Sequence, residues 1–144
     1  MSSETSAPFR IAGLGEVLWD CFPDSKRPGG ATSNAAFQAT QLGADGFVVS
    51  RVGDDGDGRS LIEFLNQQGL STEAIQLDPR HPTGTVAVDV SDSGHPEYII
   101  HEDVAWAWLE FTRPLADLAT TLAGVCFGSL AHRSPASRAA VLQF

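Results

Sequence analysis

Apolar and polar positions change rhythm several times along this chain. Residues 1–8 form a polar leader, and Phe9-Arg10-Ile11-Ala12-Gly13-Leu14 then opens an apolar run that continues to Asp20. That run reads as a buried strand leading into a loop that carries acidic groups. Cys21 to Pro28 holds two prolines and three charges, which suits an exposed connection or an irregular edge strand. Over residues 33–42, Ala35, Ala36, Phe37, Ala39 and Leu42 predict a helix with an apolar, small-residue face. Ser33 or Asn34 would cap its start, and Gly43 would close it as a C′ glycine. Gly46 to Gly53 predicts a second buried strand, residues 54–58 a turn, and Leu61, Phe64 and Leu65 a second helix that ends at Gly69. Ala74 to Leu77 is a short third strand.

Strand and helix alternating in this way imply a parallel sheet with crossover helices. At Thr83 the rhythm changes to period two, running to Val90. Ser91-Asp92-Ser93-Gly94 reads as a turn, and Glu97 to His101 answers the first run. The expectation is an antiparallel hairpin inserted in an α/β chain and placed to act as a lid. Residues 114–122 then read as a helix and Gly124 to Gly128 as another buried strand. Ser134-Pro135 is a helix start with proline at N1. That last helix stops on Phe144 without a cap or closing glycine, so the chain is expected to be a fragment of a longer protein.

Composition narrows the classes. A hydrophobic fraction of 42% supports one core, and 19% charged residues is too few for a disordered chain. The net charge of −9, with no basic run, argues against nucleic-acid binding. No apolar run approaches a membrane span, and the leader lacks the features of a signal peptide. Cys21 and Cys126 read as two free, buried thiols, so a cytoplasmic location is expected.

Chemistry gathers at Gly29-Gly30-Ala31-Thr32-Ser33-Asn34. Paired glycines allow a tight turn and a close ligand approach, and a helix N-terminus offers N–H groups to a hydroxyl or anion. Asp20 precedes the turn; alone it reads as a solvated carboxylate, but beside the turn it suits a polyol. An amide such as Asn34 can cap a helix, or donate and accept at once to a diol. Arg133, just after a strand end, is a candidate for an anion or substrate contact. Asp54, Asp55 and Asp57 lack the downstream Glu of a calcium loop and read as a turn before a helix. The four histidines show no metal-ligand spacing. Gly13-Leu14-Gly15 fails as a dinucleotide fingerprint because Leu18 stands where the third glycine belongs, and no P-loop occurs.

Gly29-Gly30-Ala31-Thr32-Ser33-Asn34-Ala35-Ala36, followed by Gly43 and Gly53 at their spacing, resembles the N-terminal signature of the ribokinase-like, phosphofructokinase-B type carbohydrate kinases. Fructokinases are the nearest flavour. Gly15 to Asp20, Val52 to Asp55, Pro82 to Val86 and Gly128 to Arg133 follow in the family's order. The resemblance implies a three-layer α/β/α sandwich over residues 9–144 with a small β lid, its elements at about 20–30 and 83–101. It implies transfer of the ATP γ-phosphoryl group to a sugar hydroxyl, with Mg2+. Carried over position by position, Asp20, Gly30 and Asn34 would bind the sugar hydroxyls; Gly29 in the turn and Arg133 after its strand are added as substrate contacts from their own positions, and a homodimer could form through the lid. Thr32 stands where the family has a small residue or proline, and Ala107 where fructokinases carry Asp. The Gly-Ala-Gly-Asp motif that supplies the family's catalytic base does not occur in these residues. The chain is therefore expected to carry the sugar-binding half and to be inactive alone. The alternative is a non-catalytic sugar-binding or dimerisation module.

Overall fold

The computed structural model describes residues 7–89 and 95–144. Most of the leader, and the Ser91–Gly94 turn with Val90, lie outside the described residues. Among the described residues eight strands run in chain order: β1 Arg10–Leu14, β2 Leu18–Phe22, β3 Ser25–Gly29, β4 Asp45–Gly53, β5 Ile75–Asp78, β6 Thr85–Asp89, β7 Glu97–Ile100 and β8 Gly124–Phe127. Four helices accompany them: α1 Ala31–Gln41, α2 Gly56–Gln67, α3 Arg113–Ala119 and α4 Pro135–Gln143. Single 3₁₀ turns cover Ala105–Trp108 and Leu130–Arg133.

The main sheet has the order β5-β4-β1-β8, with each neighbouring pair parallel. Alternate residues of β4 serve opposite faces. Phe47 and Val49 join Ala12 and Leu14 against Leu115 of α3 and Ala140 and Val141 of α4. Val48 and Val52 join Ala36 of α1 and Leu61 and Leu65 of α2. Helices thus cover both faces, which is why β4 is an unbroken buried run after its first residue. This is the expected three-layer arrangement. No helix among the described residues is long and apolar enough to cross a membrane.

A second sheet, β3-β2-β6-β7, stands beside the first. Here the structure corrects the sequence reading. The run from Phe9 to Asp20 is not one strand: Gly15, at φ 144°, breaks it so that β1 joins the main sheet and β2 the second. Ser25–Gly29 is the edge-strand alternative, antiparallel to β2. The inserted hairpin is present, with β6 antiparallel to β7 but parallel to β2.

Helix α1 begins two residues earlier than expected and is capped by Gly30, not by Ser33 or Asn34. Ser33 Oγ instead donates to the carbonyls of Gly29 and Gly30. At its other end Gly43 (φ 92°) does close the helix. The Gly43 N–H bonds to Thr40 O and the Ala44 N–H to Ala39 O, both at 3.0 Å, the paired bonds of a Schellman turn. Asp55 caps α2 by accepting from the Gly58 N–H at 2.7 Å, so the acidic turn does serve a helix start.

Gly124–Phe127 is not a buried strand. It lies at the sheet edge with β1 as its neighbour, and Phe127 is 62% exposed. The same position leaves Cys126 exposed, while Cys21 on β2 is half-buried; both thiols are free. Ser134 is the N-cap residue of α4, but its hydroxyl donates to Ala107 O rather than to the helix.

Candidate functional site

Leu18, Asp20 and Phe22 project from one side of β2 and Trp19 from the other. Trp19 packs on the α2 side of the main sheet and donates its indole N–H to Asp57 O at 3.0 Å. Across from it, Leu18 forms a small apolar cluster with Val86 and Val88, against which Phe22 and Ile100 pack. Asp20 sits directly opposite Val86 on this apolar face. Burial there pushes its carboxyl above the ordinary carboxylate range. Arg27 faces Asp20 from β3 but places its guanidinium over the Phe22 ring, 5.2 Å from the centroid. No side chain or backbone N–H among the described residues donates to Asp20. It is a partly buried acceptor left open.

Gly29 explains how that carboxylate reaches the turn. A Cβ built on Gly29 would lie 2.8 Å from Asp20 Cγ, with Oδ2 nearer still. Only a hydrogen at that position lets the carboxylate rest against the main chain. Gly30 follows at φ 113°, ψ 121°, a conformation side chains disfavour, and its carbonyl accepts the Asn34 N–H at 3.0 Å. Asn34 therefore stands in the first turn of α1, exposed, with no side-chain hydrogen bond among the described residues. Asp20, Gly29, Gly30 and Asn34 are thus gathered around one turn.

Arg133 belongs to another wall. It lines a cavity of about 450 Å³ with Ile100, His101, Trp106, Trp108 and the start of α4. No hydrogen bond or ion pair ties it to the glycine turn. The link is Ile100, which opposes Val86 and so shares the Asp20 face of the second sheet. Trp108 in that cavity is held from behind by the His81 ring, stacked at 4.6 Å. His81 Nδ1 is 2.8 Å from Asp78 Oδ2, and buried Arg51 reaches the same oxygen at 2.9 Å. Burial alone would raise the Asp78 carboxyl. The Arg80 N–H, the His81 ring and N–H, and the Arg51 charge outweigh it and hold the group at about 2.

Sequence reasoning passed over Glu16, which is 3% exposed. Its Oε1 accepts the Ala31 N–H at 3.0 Å, so the α1 terminus is already partly satisfied by the protein. Thr32, the unusual residue of the turn, donates its hydroxyl to Glu16 O at 3.0 Å and so ties the turn down. Arg51 and Asp78 gave no sequence signal either, since charges inside strands do not announce their partners.

The sequence matches the pfkB family carbohydrate kinase over residues 11–122. An uncharacterized sugar kinase of Pyrococcus horikoshii is 30% identical over 144 residues, covering 92% of this chain and 46% of its own. Its crystal structure superposes with a TM-score of 0.84 over 93% of this chain and 47% of that one, and the same protein has been crystallised with ATP. A fructokinase of Vibrio alginolyticus is 37% identical over 89 residues, 58% of this chain and 29% of that protein. The fructokinase of Halothermothrix orenii shares the fold, with a TM-score of 0.81 at 22% identity, over 94% of this chain and 51% of that one. This chain spans less than half the length of the relatives it matches in sequence. The family match over most of the chain and these superpositions show that the chain has the ribokinase-like fold and belongs to the pfkB family of carbohydrate kinases.

Proposed function

We propose that these residues form the sugar-binding part of an ATP-dependent, fructokinase-like kinase of the cytoplasm. The whole protein would transfer the γ-phosphoryl group of ATP to a hydroxyl of a small sugar. One observation carries the reading: Asp20 is a partly buried carboxylate with no donor among the described residues, laid on Gly29 beside an exposed Asn34. Such an acceptor is stable only if water or a ligand supplies donors, and sugar hydroxyls are donors of the right kind. Asn34 can donate and accept to a neighbouring hydroxyl. Arg133, across the cavity, would contact the far end of the substrate. The second sheet, whose Asp20 face reaches that cavity through Ile100, would act as the lid.

Positioning and charge stabilisation dominate phosphoryl transfer, and both need a base and an anion site. In this reading neither comes from the 144 residues, so the chain alone would bind without turnover. The described residues contain no group of three or more His, Cys, Asp or Glu able to hold a metal ion. Magnesium would arrive with the ATP phosphates. Exposed Tyr98 and Ile99 on β7, an edge strand of the second sheet, favour a homodimer through that sheet. Calorimetric titration of the product of the complete reading frame with fructose and other hexoses, beside an ATP analogue, tests the proposal. Saturable heat with at least one sugar, lost in Asp20→Ala, is expected; no heat with any sugar overturns it.

A further inference from the structure

Glu16 has no part in the site as proposed, yet it touches Gly30, Ala31 and Thr32 at the start of α1. Its side-chain Oε1 takes the Ala31 N–H at 3.0 Å, and its backbone oxygen takes the Thr32 hydroxyl at 3.0 Å. That same backbone oxygen lies 2.5 Å from where a Cβ on Gly30 would be, so the main chains of residues 16 and 30 are in close contact. Glu16 also lies four residues before Asp20, in the link between β1 and β2. One residue therefore joins the strand carrying Asp20 to the turn carrying Gly30 and Asn34.

The choice of a carboxylate here calls for a reason. An ionised group in a buried position is costly unless its oxygens find donors or a favourable field. Oε1 has both, since it occupies the N-terminus of an eleven-residue helix. Oε2 is buried and has no hydrogen-bond partner among the described residues, and it faces Gly128 at the end of β8. The protein thus retains a half-satisfied buried acid at this point, where an apolar residue would pack at lower cost. What this side chain supplies, and an apolar one would not, is the bond to Ala31.

We infer that Glu16 is a positioning residue, clamping the Gly29–Asn34 turn in register with Asp20 so that both reach one substrate. The inference rests on the proposed sugar site. It also explains why Oε2 is idle: the clamp needs one oxygen only. Glutamine keeps that oxygen and should keep the clamp, whereas alanine removes it and aspartate is one methylene too short.

The test uses the product of the complete reading frame, as wild type, Glu16→Gln, Glu16→Asp and Glu16→Ala. Sugar KM should rise about tenfold or more in the alanine and aspartate variants, as for a lost hydrogen bond to a charged group. It should stay within about threefold in Glu16→Gln, and the KM for ATP should not move in any variant. A merely structural role would lower Tm without this split between the two substrates. If Glu16→Ala fails to fold, Glu16→Asp carries the same prediction. Amide exchange at Ala31, followed by NMR without sugar, should quicken in Glu16→Asp and Glu16→Ala and not in Glu16→Gln. Wild type that ignores every sugar would sink the proposed function, and the Ala31 exchange would still decide the clamp. Unchanged sugar KM in Glu16→Asp, or equal losses in Glu16→Gln and Glu16→Asp, would overturn the inference.

Discussion

Replacing Gly29 by alanine separates a site built around Asp20 from a turn that is merely tight. The new Cβ would lie 2.8 Å from Asp20 Cγ, where ordinary contact begins at 3.4 Å. Something must move by at least the difference, and the mobile partner is the short, half-buried side chain of Asp20. Overpacking of this kind costs about 1–3 kcal/mol in a closed core, and a side chain free to swing outward places this case near about 1 kcal/mol. For a chain of this size that lowers Tm by only a few degrees. The ligand loses far more. Hydrogen bonds to a charged acceptor are each worth about 1.5–3 kcal/mol, so displacing the carboxylate should weaken sugar binding roughly 10- to 100-fold. Sugar KM in a coupled kinase assay and Kd by calorimetry, each beside a thermal melt, read the two effects separately. A folded Gly29→Ala protein with wild-type sugar affinity would refute the argument that Asp20 on Gly29 forms the site.

Gly30→Ala should behave differently, because Gly30 holds φ 113° and its Cβ would strike backbone, the Glu16 carbonyl at 2.5 Å. A loss of about 2–4 kcal/mol of stability is expected by urea unfolding, from backbone strain plus overlap. The Asp78 carboxyl, depressed from 3.8 to about 2, contributes stability that is fully present above its unfolded value and lost as pH falls through about 2. The contribution is on the order of 2 kcal/mol. The urea midpoint gap between wild type and Asp78→Asn should therefore be wide at pH 6 and narrow toward pH 2; a gap independent of pH would count against it. Asp20, raised by burial, should lose its acceptor form at a pH above the ordinary carboxylate value of 3.8, so sugar affinity should fall on acidification toward that range. Calorimetry from pH 7 downward checks the sign.

Much of the fold is legible because local chemistry and global packing agree. Gly43 and Gly69 end helices in the sequence and in space, both at positive φ. The buried run of β4 and the period-two strands after Thr83 likewise announce their sheets. What could not be read depends on partners distant in sequence. Gly15 looks like any glycine in an apolar run until its φ of 144° sends β1 and β2 into different sheets. Ser33 is a better cap than Gly30 by propensity, but its hydroxyl folds back on Gly29 and Gly30, and the helix starts earlier. Apolar Val125 and Phe127 predict burial, and only the strand order reveals an edge. At the site, Asp20, Gly29, Gly30 and Asn34 were visible as residue types around a turn. Glu16 was not, because a carboxylate's burial against a helix end fifteen residues later leaves no local pattern.

Backbone NMR of the full reading-frame product, titrated with its preferred sugar, tests the central claim most directly. Saturable shifts at Gly29, Gly30 and Asn34, abolished by Asp20→Ala, are the predicted result. Saturable binding that leaves those three amides unmoved, with shifts confined to the wall around Trp106 and Arg133, would contradict it.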